Sequence, residues 1–189
     1  MLVFAATRWP GLMPPNFSAA YALLFCAGVY FPGALAWWLP LGTMLATDTA
    51  LNLFYYRVSP FVPEMLAPYL LYAGLIWLGR RLTPRASFAN LLGGGVLGAI
   101  LFYLATNTLS WLTDPAYPKT LAGWLQALSS GVPGHPPTWE FFRNTLTSGG
   151  LFTALFVGAM KLSEPAAEQQ EESAADTEDG GTRPEETKA

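Results

Sequence analysis

The sequence predicts an all-α fold, a polytopic membrane helix bundle of about six helices, one of them short. Three observations carry that expectation. Of 189 residues, 52% are hydrophobic and only 12% are charged, about half the charged share of a soluble domain. The charges are segregated: residues 1–162 hold four acids and eight bases, whereas residues 163–189 hold nine acids and two bases. Long apolar segments then recur along the first part, cut by proline- and glycine-containing breakers. The chain therefore divides into an integral membrane domain, 1–162, and an acidic C-terminal tail, 163–189. That tail has too little apolar surface to order itself and is expected to be disordered.

A membrane-crossing helix needs about 20 mostly apolar residues. Phe17–Phe31 is apolar enough but short, so as a span it would tilt or use its flanks. Leu35–Tyr56 meets the length, Met65–Gly79 approaches it, and Phe88–Leu112 and Phe141–Leu162 meet it. Thr120–Ser130 is shorter and mildly amphipathic, an interfacial or re-entrant piece unless neighbours enclose it. Breakers fall between these segments: Pro32-Gly33, Ser59-Pro60 with Pro63, Thr83-Pro84, Asp114-Pro115 with Pro118, and Val132-Pro133-Gly134 with Pro136-Pro137. Pro40 and Pro68 lie inside apolar runs, where membrane helices tolerate them.

The N-terminus makes a poor signal peptide, because its first apolar run is short and is soon interrupted by Pro10, Pro14 and Pro15. Cys26 is the one cysteine, so no disulfide framework is available, and Phe25 before it argues against lipidation. Lys and Arg count four against four on the two sides of a six-span bundle, which leaves orientation open.

Within Leu35–Tyr56 stands Asp48, a carboxylate at the middle of an apolar segment. Such a charge costs about 2.5–3.5 kcal/mol at the bilayer centre on insertion scales and usually faces a bundle interior or a wet cavity. Met44, Asp48, Asn52 and Tyr55 share one helical face. The fourth long segment repeats the pattern with Tyr103, Asn107, Ser110 and Trp111. The last opens with Glu140, Arg143, Asn144, Thr147 and Ser148. Three such faces would enclose a polar pocket, with Asp48, Asn52, Asn107 and Asn144 fixing a ligand's polar edge and Tyr103 and Trp111 offering flat surfaces. The plainer alternative is that these groups glue helices together, with Asp48 paired to Asn107 or Arg143. Trp9, Trp37, Trp38, Trp77 and Trp139 fit an interfacial aromatic belt.

Small residues recur every four positions at Ser18, Ala22 and Cys26, and at Gly94/Gly98 and Gly95/Ala99. The spacing lets helix backbones approach. It serves either packing inside the chain or, at Ser18, Ala22 and Cys26, docking of another membrane subunit. Catalysis is poorly served. His135 is the one histidine and sits in the Gly/Pro-rich stretch Gly131–Pro137, without a second ligand for a metal. No Ser-His-Asp set, HExxH or P-loop can be written. No enzyme, cofactor, metal or nucleic-acid partner is expected.

Several motifs look familiar together: Asn16-Phe17-Ser18, Leu39-Pro40-Leu41 with Thr47-Asp48, Phe102 with Thr106-Asn107 and Trp111, Tyr117-Pro118-Lys119-Thr120-Leu121-Ala122-Gly123, and Phe141-Phe142-Arg143-Asn144-Thr145-Leu146. From Asn16 to Gly158 the chain resembles an uncharacterised bacterial family of small integral membrane proteins. That family is similar in fold to the substrate-binding S components of energy-coupling-factor (ECF) vitamin transporters. The chain departs from the pattern at Ala19, where the family tends to carry Pro, and at Gly149, where it often has Asp.

The resemblance implies a multi-pass protein of the bacterial cytoplasmic (inner) membrane. It also implies a membrane-embedded solute-binding subunit for uptake of a small vitamin-like molecule, energised by separate ATPase and coupling subunits. The alternative is a non-transport membrane scaffold or assembly protein acting through small-residue helix faces.

Overall fold

The computed structural model describes residues 2–179, with side chains through Ser163 other than that of Glu64, and among these it is all-helical. Its seven α-helices are, in order, α1 Leu2–Thr7, α2 Ala20–Tyr30, α3 Leu35–Ala50, α4 Leu66–Gly79, α5 Phe88–Thr113, α6 Leu121–Leu128 and α7 Thr138–Asp179. Six of them match the six expected segments. The seventh, α1, lies in the short N-terminal run, to which the apolar pattern assigns no helix. The acidic tail expected to be disordered begins inside α7, which runs to Asp179; residues 180–189 lie outside the described residues.

Local chemistry sets several of the boundaries. Ser87 accepts from the Asn90 N–H and starts α5, and Thr120 accepts from the Gly123 N–H and starts α6. α5 ends where Asp114 turns extended ahead of Pro115. The segment Leu35–Tyr56 is not one α-helix. α3 passes at Leu51 into a π-helical turn, Leu51–Tyr56, closed by Arg57 in the left-handed region at φ 57°. The π turn inserts an extra residue per turn, so the face carrying Met44 and Asp48 is rotated before Tyr55 is reached. Tyr55 is half exposed as a result, while Met44 is fully buried.

α2 is the hub. It packs against α3, α4, α5 and α7, and nine of its eleven residues are buried. Its approach to α4 is as close as backbones allow. A Cβ added to Gly28 would lie 2.1 Å from the Ile76 carbonyl oxygen, and one added to Gly79 would lie 2.1 Å from that of Phe25. α5 and α7 pair in a similar way, with Gly95 facing the buried Thr153. One apolar cluster gathers Phe4, Tyr21, Leu24, Met44 and Ile76 beneath α1, and another gathers Phe25, Cys26, Leu91 and Val157.

Two helices are long and apolar enough to cross a membrane: α5, with mean hydropathy 1.8, and the Thr138–Ser163 part of α7, with mean hydropathy 1.2. Only 28% of each such window is buried within the chain. α2 and α4 are apolar but shorter, at 11 and 14 residues.

Candidate functional site

Asp48 lies three turns into α3, and its carboxylate is shared between two other elements. Arg8, just past the end of α1, donates from its Nη2 to Asp48 Oδ1 and forms an ion pair with it. Tyr69 on α4 donates its hydroxyl to Asp48 Oδ2 at 2.8 Å. Arg8 and Asp48 are largely enclosed, with side-chain exposures of 16% and 17%. The second amino group of Arg8 rests on the Met44 sulfur at 2.8 Å, and its Nε is buried without a hydrogen-bond partner. Asp48 therefore pairs with neither Asn107 nor Arg143. Its cation comes from the N-terminal arm.

Two hollows flank this pair. A cleft of about 450 Å³ lies on the Arg8 side, beneath the N-terminal arm, with Trp9, Phe17, Tyr21, Tyr56 and Tyr72 in its walls. A smaller pocket of about 220 Å³ lies on the Asp48 side, lined by Asn52, Met65, Pro68, Tyr69 and Tyr72. Tyr72 borders both. Its ring stacks on Phe102 of α5 with centroids 5.6 Å apart and planes within 6°, and Phe102 in turn touches Tyr21 at 4.9 Å. These rings form a continuous aromatic floor running from α4 through α5 to α2.

Of the six residues expected to bind a ligand, the structure brings two together, Asp48 and Asn52. Asn52 lies at the start of the π turn and donates to the Pro60 carbonyl at 3.2 Å. π turns recur at functional positions in helices. The other four do not converge on Asp48. Tyr103 donates to the Leu128 carbonyl at 2.6 Å, binding α5 to the end of α6. Asn107 donates to the Tyr103 carbonyl one turn back, at 2.9 Å. Trp111 donates to the Pro118 carbonyl at 2.8 Å. Asn144 reaches the Pro15 carbonyl at 2.9 Å. Each thus satisfies a backbone group, and the hollow expected between the second, fourth and last long segments is displaced toward α1, α3 and α4.

The docking face expected at Ser18, Ala22 and Cys26 also needs correction. Ala22 and Cys26 are fully buried within the chain, because α2 occupies the centre of the bundle. Their small size admits neighbouring helices of the same chain. Hydroxyls elsewhere on the apolar helices are likewise consumed internally: Thr43, Thr47, Thr106, Ser110 and Thr147 each donate to the carbonyl one turn back.

Arg8 and Tyr69 join the site although neither belongs to the polar faces legible in the sequence. The signal for Arg8 was the demand of a deep acid for a cation. For Tyr69 it was the spacing of Tyr69 and Tyr72, which places two phenols on one face of an otherwise apolar helix. Among the described residues no group of three or more His, Cys, Asp or Glu side chains could hold a metal.

The chain belongs to a family of unknown function (DUF6580), which it matches over residues 1–172. The match includes α1 and Arg8, so the N-terminal arm is part of the family region. No curated protein and no solved structure matches the chain.

Proposed function

We propose that this member of the family is a multi-pass membrane-embedded solute-binding subunit, similar in role to an ECF transporter S component, that captures a small vitamin-like molecule. The observation that carries this reading is the enclosed Arg8–Asp48–Tyr69 contact standing between two hollows. A structural ion pair has no need of adjoining space. Here the space is walled by aromatic rings and lies against charged groups that retain unused hydrogen-bonding capacity, which is the composition of a small-molecule site.

The surroundings support placement in lipid. The outer faces of α4, α5, α6 and α7 expose Leu70, Leu101, Leu112, Leu121, Leu155 and Leu162. Apolar exposure on this scale belongs against lipid or a partner, not water. In water a core helix is mostly buried; α5 and α7 are mostly uncovered. Such a subunit would leave energy coupling to separate ATPase and coupling proteins, since the sequence carries no nucleotide-binding motif. The scaffold alternative has less in its favour, because the Ala22 and Cys26 face it would use is already covered by this chain's own helices.

The test is a thermal-shift screen of the detergent-purified protein against vitamins and their precursors. A stabilising compound is expected, and Asp48→Asn or Arg8→Gln should weaken its effect. A screen in which no compound shifts the unfolding temperature, with no small molecule binding in calorimetry either, would overturn the solute-binding reading.

A further inference from the structure

The two hollows differ in charge, and the difference specifies a ligand. Among the described side chains, Arg8 is the one charged group lining the 450 Å³ cleft, and Asp48 is the one charged group lining the 220 Å³ pocket. The ion pair thus presents its positive end to one space and its negative end to the other, with Tyr72 bordering both.

Neither end is saturated. Arg8 gives a single amino group to Asp48, sets the other against a thioether sulfur, shares a side-chain hydrogen bond with Tyr72, and buries its Nε without an acceptor. A guanidinium has five N–H donors and a thioether is a weak acceptor, so Asp48, Tyr72 and the Met44 sulfur leave donor capacity on the two amino groups. Asp48 takes one hydrogen bond on each oxygen, and each carboxylate oxygen has room for a second. A guest can therefore be added without dismantling the pair.

Net charge then decides which guest. The internal pair is neutral. A guest carrying only an anion would leave this enclosed site with a net negative charge, and a guest carrying only a cation would leave it positive. Either imbalance is costly away from water. A guest bearing both charges keeps the site neutral while pairing each of its ends with the opposite one here. The aromatic walls of the larger cleft add a surface for a flat ring.

The geometry points to a small aromatic zwitterion as the ligand class: its carboxylate on Arg8, its ammonium on Asp48, and its ring against Trp9, Tyr21 and Tyr72 in the larger cleft. This assignment rests on the solute-binding reading and gives its substrate class. Charges on adjacent carbons suit the distance, because Arg8 and Asp48 are themselves in contact. The charged ends of the guest would lie across the pair and its ring would extend away from it.

Isothermal calorimetry on the full-length protein in micelles tests this with L-phenylalanine, L-tyrosine and L-tryptophan as probes. Their N-acetyl derivatives keep only the anion, and their amides keep only the cation. At least one free amino acid should bind about tenfold or more tightly than both of its singly charged derivatives, a difference of one decade in Kd. The double variant Arg8→Gln with Asp48→Asn retains neutral hydrogen bonding and should erase that preference, whereas Arg8→Lys should keep it. Equal binding by a singly charged derivative, or no binding by any of the three amino acids, overturns the zwitterion assignment. If the vitamin screen still yields a stabiliser in that case, the solute-binding reading stands without it. A screen with no stabiliser, together with silent calorimetry, overturns both.

Discussion

Arg8 and Asp48 stand 40 residues apart in the sequence and form an ion pair that fastens the end of α1 to the last turn of α3. Tyr69 holds the second carboxylate oxygen from α4. One acid therefore ties three elements, and its removal strands both donors. Asp48→Ala should destabilise the protein by about 3–5 kcal/mol, the cost of leaving a buried charge without its partner. Asp48→Asn should cost less, since an amide oxygen still accepts from Tyr69. Replacing both charges, Arg8→Met with Asp48→Leu, should recover much of the loss. Thermal and denaturant unfolding in micelles measures these variants beside the parent protein and the two single replacements, and additive single and double losses would show that the pair is not coupled.

The crossing of α2 and α4 depends on two hydrogens. Gly28 and Gly79 face carbonyl groups of the opposite helix, where a Cβ would lie 2.1 Å from an oxygen. Backbone cannot rotate aside as a side chain can, so the helices must separate. Gly28→Ala and Gly79→Ala should each lower stability by about 1–3 kcal/mol through overpacking. Gly42 and Gly74 lie in α3 and α4 with nothing within 4 Å of an added Cβ. Gly42→Ala and Gly74→Ala should instead be neutral or stabilise by about 0.5–1 kcal/mol, the helical advantage of Ala over Gly. Opposite signs for the two pairs of variants in one unfolding assay are the expected outcome.

The helical segments were legible in the sequence because apolar runs and Pro/Gly breakers are local signals. Phe88 and Ser87 mark a helix start with no help from the rest of the chain. The candidate site was legible only in half. Asp48 announced itself as a charge that lipid cannot accommodate, but its partner could have been any of eight bases, and the choice of Arg8 is made by tertiary packing. Asn107 and Trp111 misled for a related reason. A polar side chain on an apolar helix must find a partner, and periodicity does not tell a nearby backbone carbonyl from a ligand. The π turn after Ala50 was a further obstacle, since face assignments in Leu35–Tyr56 assumed an unbroken α-helical period.

The residues that turned away from the pocket make a sharp control. Tyr103 donates to the Leu128 carbonyl at 2.6 Å and lies near that of Thr138 at 3.4 Å, so it joins α5 to the end of α6 and the start of α7. Trp111 does similar work on the Pro118 carbonyl. Tyr103→Phe should cost about 1–2 kcal/mol, since the half-buried Leu128 carbonyl and the buried Thr138 carbonyl lose a donor. Hydrogen exchange should quicken between residues 121 and 138. Ligand-induced thermal shifts, measured relative to each variant's own unfolding temperature, should be unchanged for Tyr103→Phe and Trp111→Phe. A selective loss of ligand response in either would return these residues to the candidate site.

Asn144 offers the last handle, because it holds the arm that covers the larger cleft. Its amide nitrogen donates to the Pro15 carbonyl at 2.9 Å, linking α7 to an arm 129 residues earlier in the chain. The arm from Trp9 to Ser18 has few other anchors: the Arg8 ion pair and the Trp9–Tyr55 ring contact at its near end, and Ala19 N–H on the Thr7 hydroxyl with Phe17 against Phe152 of α7 at its far end. Asn144→Ala removes the middle one. The cost should be about 0.5–1.5 kcal/mol locally, the net worth of a single hydrogen bond to an exposed segment. It should appear as faster hydrogen exchange in residues 9–18, with α2 and α5 left as protected as before. Because those arm residues wall the cleft, the same variant should bind any ligand found there more weakly, mainly by faster dissociation, while Arg8 and Asp48 remain paired. Unchanged exchange in the arm would show that the ion pair, Thr7 and the ring contacts of Trp9 and Phe17 suffice to hold it, and the cleft would then be a rigid space with no dependence on Asn144.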